Sequence, residues 1–153
     1  ELLRRLASWL LTGAEEGQLT LLHLIGRLWE RHGREDVALA ALLLANLDHA
    51  SLGSNPWQVL ASSTREVEPA EALLLSIEEL LRAGREIPSD EVLIGWCRAR
   101  SVDGHLAILV SHAGLLKGQV PSEGVFDALA TVEIPVEDSL LGRIMQRMSE
   151  VRA

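Results

Sequence analysis

The sequence is poor in several residue types on which common kinds of site depend. Its 153 residues include one cysteine (Cys97), one lysine (Lys117), one phenylalanine and no tyrosine. A single cysteine excludes an internal disulfide framework and a multi-cysteine zinc site, and it fits a reducing, cytoplasmic compartment. The longest strongly apolar run is 37–45, much shorter than the ~20 residues that a membrane-spanning helix needs. We therefore expect no membrane association.

Positive charge is also scarce. Lysine and arginine total 14 against 22 acidic residues, which gives a formal net charge of −8. Nucleic-acid-binding domains need a basic surface to neutralise phosphates, so a nucleic-acid partner is not expected. The sequence contains no HExxH, Cys-x-x-Cys, GxGxxG or GxxxxGK[ST] motif, and these motifs mark common metal and phosphate sites. We predict no catalytic residue, no metal and no cofactor, and hence a protein that is not an enzyme.

Leucine and helix-period patterns are abundant by contrast. Apolar residues make up 48% of the chain, and they recur at spacings of three and four residues, as in Leu22, Ile25, Leu28 and Trp29. This spacing is typical of amphipathic helices, whereas the alternation typical of strands is absent. The sequence therefore predicts an all-α fold.

Prolines and glycines divide the chain into about nine helices. All five prolines are expected at helix starts, where a missing N–H costs no intrahelical hydrogen bond, and acidic residues such as Glu137 and Asp138 follow four of them. The prediction is an opening helix followed by four antiparallel pairs: 2–12; 18–32 with 35–51; 56–66 with 69–83; 88–100 with 103–117; and 121–131 with 135–151. We expect a single domain over 1–153, as a piece of a longer protein because residue 1 is Glu.

An internal repeat supports the pairing. Pro56, Pro88 and Pro121 lie 32 and 33 residues apart, and the segments Ile87-Pro-Ser-Asp-Glu-Val-Leu and Val120-Pro-Ser-Glu-Gly-Val-Phe are similar. A period in the low thirties with two helices per unit is typical of stacked helical repeats.

The first pair resembles a specific repeat family. Large, small and aromatic residues follow the tetratricopeptide spacing at Leu22, Ile25, Gly26, Trp29, Gly33, Ala38, Leu42 and Ala45. The resemblance implies a short α-solenoid in which Gly26 and Ala38 allow close helix approach and Gly33 allows the turn. Later pairs depart from this pattern: Trp96 can take the place of Trp29, but His105 then replaces Ala38. The third pair is also similar to a pentatricopeptide repeat, through Pro88 and Cys97-Arg98-Ala99.

The tetratricopeptide resemblance implies a groove lined by the first helix of each pair. The residues that map to this groove are Thr20, His23, Arg27, Glu30 and Arg31 in the first pair and, more loosely, Arg98 in the third. An alternative is that Arg27 and Arg31 are solvated neighbours with Glu30 as their counter-charge. Trp29 and Trp96 are expected in the core, and Trp9 is expected to pack the opening helix on the first pair. Trp57, if exposed at a helix start, would anchor a partner.

These observations predict a protein–protein interaction module: a scaffold, an adaptor or a chaperone-like domain that binds a partner peptide or helix in a groove. One alternative is a pentatricopeptide-like domain for single-stranded RNA, which the net charge opposes. Another is a non-catalytic accessory domain of a larger enzyme. Self-association through an open end of the solenoid is also possible.

Overall fold

A computed structural model describes residues 1–13, 17–66, 68–136 and 139–152. Within these ranges all regular structure is helical, which confirms the all-α prediction. The ten helices are α1 (Leu2–Thr12), α2 (Gln18–Arg31), α3 (Arg34–Asn46), α4 (His49–Leu52), α5 (Pro56–Ser63), α6 (Ala70–Arg82), α7 (Asp90–Cys97), α8 (Ser101–Leu116), α9 (Glu123–Leu129) and α10 (Ser139–Arg152). The acidic residues Glu15, Glu16, Glu137 and Asp138 lie outside the described ranges.

The tenth helix arises because the helix predicted over 35–51 is broken. Leu47 has an extended backbone, and Asp48 then caps the separate helix α4 by accepting a hydrogen bond from the Ser51 N–H at 3.2 Å. Hydrogen bonds from Ser51 lower the pKa of Asp48 below its ordinary value.

The helices of the two repeated segments start two residues later than predicted, at Asp90 and Glu123. Ser89 and Ser122 are the N-caps of α7 and α9, and their hydroxyls accept the N–H groups of Val92 and Val125 at 3.4 and 3.3 Å. The prolines before them therefore lie outside the helices rather than in the first turn. Of the three repeat prolines, Pro56, Pro88 and Pro121, Pro56 alone occupies a first helical position.

The chain divides into two compact units. Unit 1 consists of Glu1–Thr64 and Leu74–Glu86, and unit 2 of Arg65–Leu73 and Ile87–Ala153. The single-domain and solenoid arrangements stay predictions.

Unit 1 is built around α3. Helices α1 and α2 both pack on α3, and α5 packs on α2 and α3. Ile25 and Trp29 of α2 are fully buried, which confirms the core position expected for Trp29. α1 turns Ala7 inward, whereas Trp9 is exposed, so the expected packing of Trp9 on the first pair is wrong.

The side chains of Arg85 and His49 hydrogen-bond backbone carbonyls at the carboxyl end of α3. Arg85 donates to the carbonyls of Ala45 and Leu47 at distances between 2.9 and 3.2 Å. His49 donates from Nε2 to the Leu44 carbonyl at 2.7 Å, and burial lowers its pKa below the ordinary value. Carbonyls at a helix end have no intrahelical partner, so these contacts stabilise the place where α3 stops.

Unit 2 is built around α8. Helices α7 and α10 pack on α8, and α9 packs on α7 and α8. The stretch 102–112 of α8 is buried throughout, and Trp96 of α7 is buried as predicted. Near the end of α10, Arg152 pairs with Glu123 and Asp127 of α9 and lies 5.5 Å from the ring centroid of Phe126.

Gly26 and Gly33 do not have the roles that the family resemblance implied for them. A Cβ built on Gly26 meets no atom within 4 Å, so this residue is not needed for close helix approach. At the turn between α2 and α3 the left-handed residue is His32 (φ 59°), and Gly33 has an ordinary φ of −68°. Close packing instead involves Gly104 of α8, where a Cβ would lie 2.9 Å from Cγ1 of Val132.

Candidate functional site

The predicted groove residues of the first pair lie on one exposed side of α2. We call this set the α2 strip: Thr20, His23, Arg27, Glu30 and Arg31. Their spacings of three, four, three and one place them opposite the buried side, which carries Ile25, Leu28 and Trp29. The structure therefore brings the five predicted residues together on one surface, whereas their role in binding stays a prediction.

The ion pair that Arg31 forms on the α2 strip differs from the alternative in which Glu30 is its counter-charge. Arg31 places Nε 3.3 Å from Oδ2 of Asp36 in α3, so its counter-charge is Asp36 rather than Glu30. The Glu30 carbonyl instead accepts a hydrogen bond from Nδ1 of His32 at 3.0 Å. Both groups of the Arg31–Asp36 pair are accessible to water, so the pair contributes little to stability and can open for a ligand.

Trp57 is not the exposed anchor that was expected. Its side chain is only 3% exposed, and its indole N–H donates to the Glu86 carbonyl at 2.7 Å. Asn55 caps α5 by accepting the N–H groups of Trp57 and Gln58, and this cap directs the indole into unit 1. A tryptophan just after a helix start can point into the core or into solvent, and the sequence does not distinguish these two orientations.

Arg98 lies in unit 2, at the C-cap of α7, and is exposed. Its neighbour Cys97 is half-buried, and burial raises the pKa of that thiol above its ordinary value, while the positive charge of Arg98 acts weakly in the other direction. A raised pKa reduces the thiolate fraction that a nucleophile needs. The geometry at Cys97 therefore gives no support to catalysis.

An exposed apolar surface on α1 was missed by the sequence analysis. Leu2, Leu6 and Trp9 are 79%, 39% and 72% exposed, and we call these three residues the α1 outer stripe. Their spacing at i, i+4 and i+7 places them on one face of the helix. The sequence of α1 does indicate such a surface, because its apolar residues cover more than the one face that a surface helix buries.

Helix α1 also carries two arginines, Arg4 and Arg5, and each forms an ion pair. Arg5 lies on α1 beside the outer stripe and is 3.6 Å from the Glu1 carboxylate in a fully accessible pair. Arg4, on the other side of α1, donates to Oε1 of Glu79 at 2.9 Å, and Arg82 donates to the same oxygen at 2.9 Å. Two guanidinium groups thus share one largely buried carboxylate. Arg4 also lines a groove of about 260 Å³ between α1 and α3.

His105 and His112 take buried positions in unit 2. His105 donates from Nε2 to the Glu133 carbonyl at 2.9 Å, and His112 is buried in α8, where burial and then the charge of Arg147 lower its pKa. Among the residues that the structure describes, no group of three or more histidine, cysteine or acidic side chains is arranged to hold a metal ion.

No protein-family model, curated protein or solved structure matches this chain. Within the described ranges, none of the helices has both the length and the apolar character needed to cross a membrane.

Proposed function

We propose that this protein is a protein–protein interaction module, a scaffold or adaptor, that binds an acidic amphipathic helix of a partner along α1. The observation that carries the proposal is the α1 outer stripe. Exposed apolar side chains arranged contiguously on one helix mark interaction surfaces, and tryptophan is enriched among residues that dominate binding energy. Trp9 thus takes the role of anchor that was expected of Trp57.

The charge distribution supports an acidic partner. The first 34 residues carry five arginines and four acidic residues, a net charge of +1, whereas the remaining residues carry nine basic and eighteen acidic residues, a net charge of −9. Arg5 lies beside the stripe, and its exposed pair with Glu1 is weak enough to exchange for a partner carboxylate. Arginine holds a carboxylate through two parallel hydrogen bonds.

A partner of different sequence is favoured over a second copy. In a symmetric dimer the same surface meets itself, so the stripe of one copy would bring Arg5 toward Arg5 of the other. Like charges in an interface disfavour association. An acidic amphipathic helix, by contrast, can cover the α1 outer stripe with its apolar face and pair a carboxylate with Arg5.

The α2 strip provides a second contact region in the same proposal. Both α1 and α2 pack on α3, so the α1 outer stripe and the α2 strip are presented by helices supported on one common element. Arg27 and Arg31 of the strip are exposed and suit carboxylates. We also propose that the α2–α3 and α7–α8 pairs are tetratricopeptide-like hairpins; the packing of each pair as consecutive helices supports this.

Selection of displayed helical peptides against the purified protein tests the function. We expect selected peptides to carry apolar residues at i, i+4 and i+7 together with aspartate or glutamate. Trp9→Ser is expected to weaken the best peptide about 30-fold, as for a hot-spot residue, and Arg5→Glu to weaken it less. Leu116→Ser, which changes an equally exposed apolar residue of α8, is the matched control and should leave affinity unchanged.

Three results would contradict the proposal. Selection of basic peptides would remove the acidic partner, and binding that Trp9→Ser leaves unchanged would remove the stripe. Sedimentation showing a dimer that Trp9→Ser abolishes would identify the occupant as a second copy. A gel shift with single-stranded RNA at low salt addresses the RNA-binding alternative separately.

A further inference from the structure

Unit 2 contains a cavity of about 140 Å³ whose walls come from the sequence repeat. Ile87 and Pro88, just before α7, line it together with Val120 and Pro121, just before α9. The two copies of the repeated hydrophobic-proline pair therefore contribute to one cavity. This arrangement is not explained by helix starts alone, because Ser89 and Ser122 already cap the helices.

A buried hydroxyl lies in the same place. Ser111 of α8 lines the cavity, is 3% exposed, and its Oγ has no hydrogen-bond partner among the described residues. Buried hydroxyls are normally hydrogen-bonded, because an unbonded one loses its interaction with water without compensation. Because Oγ has no partner among the described residues, rotating it toward the cavity would break no hydrogen bond with them.

Gly114, one turn further along α8, keeps the cavity open. A Cβ at this position would lie 3.0 Å from Cδ1 of Ile87, which itself lines the cavity. Glycine therefore leaves space beside Ser111 that any other residue would reduce. The absence of a side chain here has a use that helix propensity does not explain, since glycine is unfavourable inside a helix.

The lining residues define the ligand chemistry. Asp90 lines the cavity, and no lysine, arginine or histidine is among its lining residues, so anionic ligands are disfavoured relative to neutral or cationic ones. The cavity is open to solvent, with Val120 at its edge 66% exposed, and its volume of about 140 Å³ is close to that of a cavity that holds benzene. Ile87, Leu93 and Val120 provide aliphatic groups that can contact a compact hydrocarbon body, beside the polar side chains of Asp90 and Gln119. The Ser111 hydroxyl can both donate and accept a hydrogen bond.

We propose that this cavity binds a small primary amine or alcohol carried on a compact hydrocarbon body of benzene-like size. The polar group hydrogen-bonds to Ser111, and an ammonium group gains attraction from Asp90. This site is independent of the surface on α1, so either proposal can fail alone.

The test is a titration of the isotope-labelled protein followed by amide NMR shifts, with cyclohexanol, cyclohexylamine and cyclohexanecarboxylate as probes. The alcohol and the amine should produce saturable shifts centred on residues 87–93 and 111–121. The carboxylate, of the same size and opposite charge, should produce none. An absence of saturable shifts with the alcohol and the amine would show a cavity that takes only water, and equal binding of the carboxylate would remove the assigned chemistry.

Two variants separate the contributions. Ser111→Ala should lower the affinity for cyclohexanol about twofold to tenfold, the usual range for one hydrogen bond, and it breaks no hydrogen bond among the described residues, so the fold is retained. Asp90→Asn should weaken cyclohexylamine and leave cyclohexanol unchanged. Ser76→Ala, which removes another buried hydroxyl that has no partner in the described part of the chain, is the matched control. Unchanged cyclohexanol binding by Ser111→Ala would overturn the proposal.

Discussion

The α2–α3 pair and the α7–α8 pair look alike in sequence, with a tryptophan in the first helix and small residues in the second, yet they pack by different means. In α2–α3 large side chains fill the interface, and the glycine marked by the family resemblance, Gly26, faces open space. In unit 2 a Cβ on Gly104 or Gly114 of α8 would lie 2.9 or 3.0 Å from a side chain of another segment. At the α2–α3 turn, by contrast, a Cβ on Gly33 would meet the end of the nearby Asp36 side chain. A small residue at a family position is therefore no proof of close packing there.

The two pairs also begin their helices differently. Neither α2 nor α3 has a side-chain cap in the structure; their N-caps are Gly17 and Gly33. Helix α7 is capped by Ser89, and at the start of α8 the Asp103 carboxylate accepts from the backbone N–H and the guanidinium of Arg100. The α7–α8 pair thus draws local stability from its helix starts, whereas the α2–α3 pair depends more on its buried side chains.

The largest expected effect comes from the two tryptophans that the resemblance places in equivalent positions. Trp29→Ala and Trp96→Ala should each lower the free energy of unfolding by about 3–5 kcal/mol, because each removes a buried aromatic ring. Urea denaturation measures both. Trp9→Ala is the control, since this ring is exposed, and it should change stability by less than about 0.5 kcal/mol. A cost below about 1 kcal/mol for Trp29→Ala would show that its burial is not needed.

Next in size is the contrast between the glycines. Gly104→Ala and Gly26→Ala gain similar helix propensity, so the difference between them isolates crowding against Val132. We expect Gly104→Ala to be less stable than Gly26→Ala by about 1–3 kcal/mol, the usual cost of overpacking. Thermal and urea unfolding of both variants measures this difference. Equal stabilities would mean that Val132 moves aside and that the two pairs do not differ in packing.

The helix caps should show a smaller effect. Ser89→Ala removes the hydroxyl that accepts the Val92 N–H, and we expect a loss of about 1 kcal/mol in the free energy of unfolding. Ser101→Ala, at the exposed first residue of α8, is a serine that provides no cap and should be close to neutral. If both changes are neutral, local capping does not distinguish the α7–α8 pair.

The smallest effect is a dependence on pH, to which His49 of unit 1 and His112 of unit 2 contribute. Burial lowers the pKa of His49 in unit 1 and of His112 in unit 2. Each group binds its proton more readily in the unfolded chain, so stability is unaffected above the ordinary histidine pKa of about 6.5 and falls as pH drops below it.

Urea denaturation between pH 7.5 and 5 measures this dependence. Replacing His112 by Gln should flatten the curve. A stability that rises as pH falls over this interval would contradict the assigned direction.

Helix content was predictable because it depends on local patterns. The spacing of Leu22, Ile25 and Trp29 is enough to assign a helix and its buried side, and α1 matches its predicted bounds. The break at Leu47 was not predictable, since the leucine- and alanine-rich stretch favours continuation. It depends on the Asp48 cap and on Arg85, a residue remote in sequence that bonds the end of α3.

The candidate site was predictable in part for the same reason. The exposed side of α2 follows from helical periodicity alone, so Arg27 and Arg31 were placed on a surface correctly. The exposure of Trp9 and the burial of Trp57 were not predictable, because both depend on which neighbours cover the ring. For Trp57 the deciding contact is the Glu86 carbonyl, 29 residues away in sequence.

The sequence alone determined that this chain is helical, acidic and organised around repeated helix starts, since composition, periodicity and capping are properties of neighbouring residues. Only the tertiary structure decided that the apolar face of α1 stays uncovered and that the two proline-led segments line one cavity with Ser111. Burial depends on contacts between residues far apart in the chain, and local patterns carry no information about which of those contacts form.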